Sequence, residues 1–188
     1  MPGLLAARKG HFQLESGHHS DRWLDLDLLF LHPGRLRPHA VELARRLQPH
    51  GIDAVCGPLV GGALVAQLIA AELDVDFLYT ERSPGESAAL YPVGYRLPRA
   101  LRAGLGGKRV AVVDDAISAG SAVLGTLADL RACGAHPAAI GALLVLGSLA
   151  PGMAATAGIP LESIATLPWG LWTPAECPLC ASGVPFED

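Results

Sequence analysis

Short apolar runs alternate with helical stretches along most of this chain, and this alternation constrains the fold more than any other feature of its sequence. The runs of strand length are 52–56, 75–80, 109–113 and 139–146. The helical stretches are 37–47, which precedes the first run, and 61–73 and 121–132, which lie between runs. Because parallel neighbours in a sheet need crossover connections, usually helices, the pattern predicts an α/β fold with a central parallel sheet flanked by helices.

The segments outside this alternation are less regular. We expect a surface loop at 83–87, a short strand pair at 91–97 and irregular structure from Pro168 onward.

Length and composition fit one domain with a full hydrophobic core. The chain has 188 residues, of which 51% are hydrophobic, so we expect a single domain over residues 1–188. Its net charge of -4 comes without a basic face, which argues against nucleic acid as a partner. Glycine and proline interrupt the uncharged stretches 54–71 and 137–161, so no interaction with a membrane is expected.

The cysteines and the N-terminus favour the cytoplasm. Four cysteines in a chain large enough to fold without cross-links are expected to be reduced thiols. Arg8 and Lys9 interrupt the N-terminal apolar residues before they reach the length of a secretion signal.

One apolar run ends in two adjacent carboxylates, Asp114 and Asp115. The turn 116–121 follows, with two serine hydroxyls and a glycine, and leads into a helix whose free N–H groups favour a phosphate. Carboxylates beside a phosphate would repel it unless they bound another part of the same ligand. A sugar phosphate has that part, because ribose hydroxyls can donate to the carboxylates while the turn holds the 5-phosphate.

The strand, the acidic pair and the turn together resemble the phosphoribosyl diphosphate (PRPP) binding motif of the type I phosphoribosyltransferases. The family more often has a branched residue at Ala116 and a hydroxyl residue at Ala119, so one side-chain donor to the phosphate is lost here. The alternative is an acidic turn that only caps the next helix.

A second segment, 53–62, reads DAVCGPLVGG and resembles the loop in which backbone amides of that family hold the diphosphate. Its three glycines would let the backbone approach an anion closely. The alternative is a strand-to-helix turn whose glycines are required only by tight packing.

Both chain ends resemble orotate phosphoribosyltransferases. Residues 10–25 match the hood of that family, with its Phe-x-Leu-x-Ser-Gly-x-x-Ser pattern, and residues 176–185 are similar to the ends of some bacterial members. The resemblance implies a small hood, built from roughly residues 1–35 and the C-terminal segment, that helps to enclose the pyrimidine. His19 stands where some members have a basic residue and is expected to donate to a bound anion, whereas His18 is expected to be solvated.

The chain departs from this family in the mobile loop that closes over the diphosphate from the neighbouring subunit. That loop commonly has an Arg-Lys pair, a further Lys and a His, but residues 79–96 contain no lysine. Arg82 is the candidate for one positive charge and Arg96 for a second. Stabilisation of charge on a leaving group is a large catalytic contribution, so this departure bears directly on turnover of orotate.

Cys177 and Cys180 form a Cys-x-x-Cys pair that suits half of a tetrahedral zinc site, but no second Cys/His pair lies at zinc-finger spacing. The favoured interpretation is a structural turn with two buried thiols. A metal site would need a second pair from elsewhere in the fold or from a partner chain. Trp169 and Trp172 are expected to be packing residues.

The resemblance implies that the phosphoribosyl group of PRPP is transferred to a nucleobase, with orotate as the first candidate, Mg²⁺ carried mainly by PRPP near Asp114 and Asp115, and a homodimer. Arg82 joins the two aspartates as a catalytic candidate. The substrate-binding candidates are Ser16, His19, Ser20, Gly57, Pro58, Val60, Gly61, Gly62, Ala116, Ile117, Ser118, Ala119, Gly120 and Ser121. The alternatives are a transferase for another purine or pyrimidine base, and a PRPP-binding regulator without activity.

Overall fold

A central sheet flanked by helices organises the structure, a computed structural model that describes residues 7–84 and 90–187. The strands are β1 (Ala7–Gln13), β2 (His19–Leu24), β3 (Ala54–Pro58), β4 (Asp76–Pro84), β5 (Val93–Arg96), β6 (Arg109–Ile117), β7 (His136–Leu146) and β8 (Leu161–Leu167). The helices are α1 (Pro33–Leu47), α2 (Gly61–Leu73), α3 (Ser121–Ala132), α4 (Leu149–Ala157) and α5 (Pro178–Ala181). Single 3₁₀ turns lie at Leu26–Leu29, Gln48–His50, Arg99–Leu101 and Pro174–Glu176.

Six strands form the main sheet in the spatial order β5-β4-β3-β6-β7-β8. β3, β4, β6, β7 and β8 are parallel, and β5 pairs antiparallel with the end of β4. The predicted α/β fold with a largely parallel sheet is therefore confirmed.

The core consists of two layers, one on each face of the sheet. Successive residues of a strand point to opposite faces, so Val110 and Val112 of β6 pack with α3 and α4 while Ala111 and Val113 pack with α1 and α2. All four side chains are fully buried. Burial on both faces explains why the parallel strands are continuous apolar runs rather than alternating ones.

The order of the strands reverses between β3 and β6. After β3 the chain adds β4 on one side, and it then returns to place β6 on the other side of β3. In open α/β sheets a crevice forms at this point, outside the carboxyl ends of the two strands. The loops that follow β3 and β6 therefore face each other across a crevice.

Several boundaries differ from the sequence predictions. β6 continues to Ile117 rather than ending before the acidic pair, because it stays paired with β7 beyond the point where β3 leaves it at Val112. The expected strand pair at 91–97 is the single strand β5, whose partner is the extended end of β4. α1 begins at Pro33, four residues early, since proline is well tolerated in a first helical turn. α4 and β8 were not predicted.

Both chain ends contribute to a small unit beside the sheet, which we call the hood. β1 and β2 form an antiparallel hairpin, and His19 at the start of β2 exchanges two backbone hydrogen bonds with Trp172, of 2.8 and 3.0 Å. The Glu187 N–H donates to the His11 carbonyl over 2.8 Å. Residues 1–6 and 188 lie outside the described residues, as do 85–89 of the expected surface loop. Among the helices that are described, none has the length and apolar character needed to cross a membrane.

Substitution of Leu43 in α1 tests whether the contacts between α1 and the sheet form part of the hydrophobic core. Its side chain is fully buried against this face, so we expect Leu43→Ala to lower the free energy of unfolding by about 2–5 kcal/mol, because it removes apolar contacts and leaves a cavity. Urea denaturation measures this change. The matched control is Leu31→Ala, whose side chain is 67% exposed and whose expected loss is below about 0.5 kcal/mol. Equal losses in the two variants would contradict the assigned core.

Candidate active site

A cleft of about 280 Å³ lies at the crevice between the ends of β3 and β6. It is bordered by the β3–α2 loop, the end of β6, the first turn of α3 and residues from the hood and β4. The lining residues are Glu15, Leu26, Pro58, Leu59, Val60, Gly61, Gly62, Arg82, Tyr95, Asp114, Asp115, Ala116, Ile117, Ser118, Gly120, Ser121 and Ala122. Most of the residues predicted from the two loop motifs are thus brought together.

The two adjacent carboxylates lie at the base of this cleft. Asp114 is only 9% exposed, and its Oδ1 accepts a hydrogen bond from the Asp115 N–H over 3.0 Å. Asp115 Oδ1 accepts from the Ala116 N–H over 2.8 Å. These short backbone bonds fix both carboxylates at the point where β6 has left β3 but is still held by β7.

The glycines of the β3–α2 loop make room for these carboxylates. A Cβ at Gly61 would overlap the carboxylate of Asp115, and one at Gly62 would lie 2.7 Å from Asp114 Oδ1. A Cβ at Gly57 would overlap the backbone of Gly62. Tight packing therefore requires all three glycines, Gly61 and Gly62 against the acidic pair and Gly57 against the backbone of Gly62. The anion-binding role of this loop stays a prediction.

Burial raises the pKa of both carboxylates. For Asp114 the removal of water is the largest cause and the neighbouring charge of Asp115 adds to it, so its pKa lies well above the ordinary value. Burial also raises the pKa of Asp115, against the lowering effect of its hydrogen bonds with Asp114 and the Ala116 N–H. The pair is therefore suited to accept hydrogen bonds from a ligand that replaces the missing water.

The turn after the acidic pair opens onto the N-terminus of α3. Gly120 has φ +81°, a left-handed conformation that favours glycine, and α3 has no side-chain cap among the described residues. The first-turn N–H groups of α3 are therefore available to an anion. Ala119, unlike the other residues of the turn, does not line the cleft: its side chain is buried, and its carbonyl accepts from the Tyr91 hydroxyl over 3.4 Å.

Glu15 is a cleft residue that the sequence analysis missed. It forms an ion pair with Arg82 and accepts hydrogen bonds from the Tyr95 hydroxyl over 2.8 Å and the Ser121 hydroxyl over 3.4 Å. Burial and the hydrogen bond to Glu15 raise the pKa of Tyr95, so its hydroxyl stays a donor. Hydrogen bonding with Tyr95 and the charge of Glu15 raise the pKa of Arg82. Arg82 thus reaches the cleft, as predicted, but its charge is already paired.

The hood residues predicted to bind substrate lie outside the lining of this cleft, as far as the described residues define it. His19 and Ser20 are buried at the start of β2, and the Ser20 hydroxyl accepts from the Arg22 N–H over 3.2 Å. Ser16 is also buried, with its hydroxyl 3.1 Å from His18 Nδ1. The expectation that His18 is solvated is wrong, because its side chain is only 5% exposed.

A smaller pocket of about 160 Å³ joins the cleft at Leu26, Ala116 and Ser118. Its other lining residues are Leu14, Arg22, Trp23, Leu24, Leu146 and Trp169. The Arg22 guanidinium lies 5.3 Å from the centre of the Trp169 ring, a cation–π arrangement. Trp169 therefore lines a pocket in addition to packing, and the Arg-Trp pair that follows the Ser-Gly-x-x-Ser motif is the sequence signal that could have located it.

Asp114→Asn is expected to stabilise the protein. A carboxyl whose pKa is raised in the folded state binds more protons there than in the unfolded chain, so its contribution to stability falls as pH rises toward and through the raised pKa. At pH 8 the variant should unfold roughly 2–4 °C above the parent protein, and the difference should shrink as pH falls and Asp114 takes up a proton.

Thermal unfolding between pH 5 and 8 measures this difference. The matched control is Asp74→Asn, at an exposed position whose φ of 54° asparagine tolerates, and it should show no such trend. If the variant is less stable than the parent protein at pH 8, burial of the Asp114 carboxylate does not lower the stability of the folded protein.

Comparisons with known proteins agree with this geometry. No family model matches the sequence. Orotate phosphoribosyltransferase from Caldanaerobacter subterraneus subsp. tengcongensis is 31% identical over 183 residues, which cover 97% of this chain and 90% of that protein. The crystal structure of orotate phosphoribosyltransferase from Aeropyrum pernix has a TM-score of 0.65 and 25% identity, covering 88% of this chain and 89% of that one.

Adenine phosphoribosyltransferase from Thermoanaerobacter pseudethanolicus has a TM-score of 0.64 at 21% identity, over 78% of this chain and 88% of that one, which shows a shared fold alone. The similarity in sequence to the Caldanaerobacter protein extends through both hood segments and both loops of the cleft. This chain therefore belongs to the orotate phosphoribosyltransferase family, within the type I phosphoribosyltransferase fold.

Proposed function

We propose that this protein transfers the phosphoribosyl group of PRPP to orotate, with orotidine 5'-phosphate and diphosphate as products. The observation that carries the proposal is the acidic pair, buried Asp114 and partly buried Asp115, which lies at the reversal of strand order and is joined by the turn 116–120 to the N-terminus of α3. Family membership supports orotate as the base.

The acidic pair and the turn would hold the two ends of the ribose 5-phosphate. Asp114 and Asp115 accept hydrogen bonds from the ribose hydroxyls, which replaces the water lost by burial. The N–H groups around Gly120 and the hydroxyls of Ser118 and Ser121 donate to the 5-phosphate. The positive charge of the dipole at the start of α3 then offsets the charge of the phosphate.

The diphosphate would lie on the β3–α2 loop. Val60, Gly61 and Gly62 line the cleft opposite the acidic pair, and the first-turn N–H groups of α2 point to the same space. Arg82 would bind the diphosphate after leaving Glu15, which keeps accepting from the Tyr95 hydroxyl, while the Ser121 hydroxyl turns from Glu15 to the 5-phosphate.

The charges in the cleft fit a ligand that brings Mg²⁺ with it. Three carboxylates and one guanidinium line the described part of the cleft, which by itself would repel a polyanion. Magnesium prefers oxygen ligands and is usually bound through one or two carboxylates together with substrate phosphates, so Asp114 and Asp115 are suited to face such a complex. When bound, Mg²⁺ would neutralise charge that develops on the leaving diphosphate.

The protein's own residues would act on the ribose as the bond between C1 and the diphosphate oxygen breaks. The electron pair of that bond leaves with the diphosphate. A ring nitrogen of the base supplies the pair for the new bond to C1, and its N–H proton is released to solvent or to the diphosphate. Positive charge on the ribose ring is greatest between these events, and the carboxylates of Asp114 and Asp115 stabilise it through the ribose hydroxyls.

The smaller pocket would hold the base. Its aromatic and aliphatic walls suit a planar ring, and Arg22 provides a positive charge that suits the carboxylate of orotate. Because the pocket joins the cleft at Leu26, Ala116 and Ser118, a base in it would lie next to the ribose.

The cytoplasmic location and the homodimer stay predictions from the sequence and from the resemblance. The mobile loop that the resemblance implies includes residues 85–89, which lie outside the described residues. Light scattering of the purified protein tests the dimer.

The first test of this function uses purified protein with orotate, PRPP and Mg²⁺, and it follows loss of orotate absorbance and release of diphosphate. We expect orotate-dependent turnover, and we expect Asp114→Asn combined with Asp115→Asn to lower it by at least about 10³-fold while the fold is kept, since two acceptors are removed from the ribose. Asp74→Asn is the matched control, with unchanged turnover.

A panel of other bases separates the alternatives that the lysine-free loop leaves open. Diphosphate release with another purine or pyrimidine, but not with orotate, would replace orotate in the proposal. PRPP binding without diphosphate release from any base would indicate a regulator. Full activity of the double variant would contradict the assigned role of the acidic pair.

Arg22 tests the base pocket. We expect Arg22→Ala to raise the KM for orotate by about 10–100-fold, the loss of one charge-assisted hydrogen bond, while the KM for PRPP changes less than about twofold. Steady-state kinetics with each substrate varied in turn measures both. Arg35→Ala, at an exposed position of α1, is the control. Equal increases in the two KM values would place Arg22 outside the base pocket.

A further inference from the structure

Two histidines and two cysteines from distant parts of the chain meet in the hood. His11 lies in β1, His19 begins β2, Cys177 directly precedes α5, and Cys180 lies within α5. One ligand atom from each residue lies within 4.8 Å of every other. None of the four lines the cleft or the smaller pocket. We refer to them as the His₂Cys₂ cluster.

We propose that the His₂Cys₂ cluster binds a structural Zn²⁺ ion that fastens the C-terminal segment to the β1–β2 hairpin. The proposal does not depend on the transferase activity. The ligand set combines two imidazoles and two thiols, which is the composition of tetrahedral structural zinc sites.

The distances between the ligand atoms fit one tetrahedral ion. Bond lengths of about 2.0–2.1 Å to nitrogen and about 2.3 Å to sulfur imply tetrahedron edges of about 3.3–3.8 Å. His11 Nε2 lies 3.3 Å from His19 Nδ1, 3.4 Å from Cys177 Sγ and 3.7 Å from Cys180 Sγ. His19 Nδ1 lies 3.2 Å from Cys180 Sγ. A nitrogen–nitrogen edge of about 3.3 Å and nitrogen–sulfur edges of about 3.5 Å are matched within about 0.3 Å by these four separations, and the other two separations lie within 4.8 Å.

The hydrogen-bond partners of the His11 ring favour a bound metal ion over a network of hydrogen bonds among the four side chains. His11 Nδ1 lies 2.7 Å from the Val184 carbonyl oxygen and must donate to it, because a carbonyl oxygen only accepts. In a neutral ring Nε2 then has a single lone pair, yet it faces three polar atoms of the cluster. One central cation satisfies this arrangement, and a histidine ligand that donates its other N–H to a backbone carbonyl is typical of metal sites.

The surroundings also fit a structural site. His11, His19 and Cys177 are buried, and the ring of Phe186 packs 4.2 Å from the His11 ring and 4.8 Å from the His19 ring. Four protein ligands leave no open position, which distinguishes structural from catalytic zinc. The turn after Cys180 includes Gly183, whose φ of +68° and N–H bond of 3.0 Å to the Cys180 carbonyl close it tightly.

The sequence spacing did not indicate this site, because the histidine pair and the cysteine pair lie at opposite ends of the chain. Cys177 and Cys180 were expected to form a turn with two buried thiols, which is wrong for Cys180, because only Cys177 is buried and Cys180 is exposed. A metal site required a second pair from elsewhere in the fold. His11 and His19 provide that pair. They face each other because β1 and β2 form an antiparallel hairpin, in which Gln13 is the partner of His19.

Metal analysis tests the proposal directly. Protein purified from zinc-supplemented cells under reducing conditions should contain about one zinc per chain, and Cys180→Ser should contain less than about a tenth of that. The matched control is Cys133→Ser, which removes a partly buried thiol outside the cluster and should retain the metal. Chelation of the parent protein should lower its unfolding temperature, and added Zn²⁺ should restore it.

Cobalt(II) gives a readout that does not depend on folding stability or activity. Replacing zinc by Co²⁺ should produce the visible bands of tetrahedral cobalt and near-ultraviolet thiolate-to-cobalt absorption, both weaker in Cys180→Ser. The proposal is overturned if the reduced parent protein contains no zinc and shows no cobalt bands, or if Cys133→Ser loses as much metal as Cys180→Ser. If the protein binds neither metal but shows normal transferase kinetics, the zinc site is overturned and the proposed function is unaffected.

Discussion

The burial of two adjacent carboxylates is the interaction on which the rest of the site depends. Asp114 and Asp115 lie where two neighbouring strands separate, so that one side of β6 remains paired and the other opens into the cleft. Carboxylates there lose water, which raises the pKa of both groups, and the opposite loop approaches them closely only at Gly61 and Gly62, where a side chain would overlap. Desolvated charge of this kind costs stability, which the packing of the surrounding sheet offsets, and a ligand that donates to the carboxylates lowers that cost.

This constraint explains which parts of the fold could be predicted from the sequence. The parallel sheet follows from apolar runs that are buried on both faces, and the cleft follows from carboxylates and glycines at strand ends. The extension of β6 to Ile117 could not be predicted, because the two acidic residues have low strand propensity and only pairing with β7 holds them extended. The role of the glycines was likewise undetermined until the carboxylates were seen to pack against Gly61 and Gly62.

The functional side chains that no sequence motif predicted make contacts between segments that are distant in the sequence. Glu15 reaches the cleft from the hood and meets Arg82 of β4, and nothing in the local sequence of either residue indicates the other. The same is true of His11 and Cys177, which are 166 positions apart and meet only because the chain ends fold together. Local patterns predict local chemistry, and such pairs depend on tertiary topology.

The division of the molecule into sheet and hood separates two kinds of recognition. Residues expected to bind ribose and phosphate come from loops of the sheet, where strand order alone fixes their positions. The proposed base pocket is different, because Arg22 and Trp23 come from β2 and Trp169 comes from the C-terminal segment.

His19 starts the same strand and pairs through its backbone with Trp172. Whatever holds His19 against α5 therefore also sets the spacing between the two walls of the pocket. In this chain His19 faces the cysteines, while Arg22 supplies the charge beside the base pocket. Because the hood and the sheet loops are separate segments, substitutions in the hood should alter the proposed base contacts without moving the carboxylates that we propose bind the sugar.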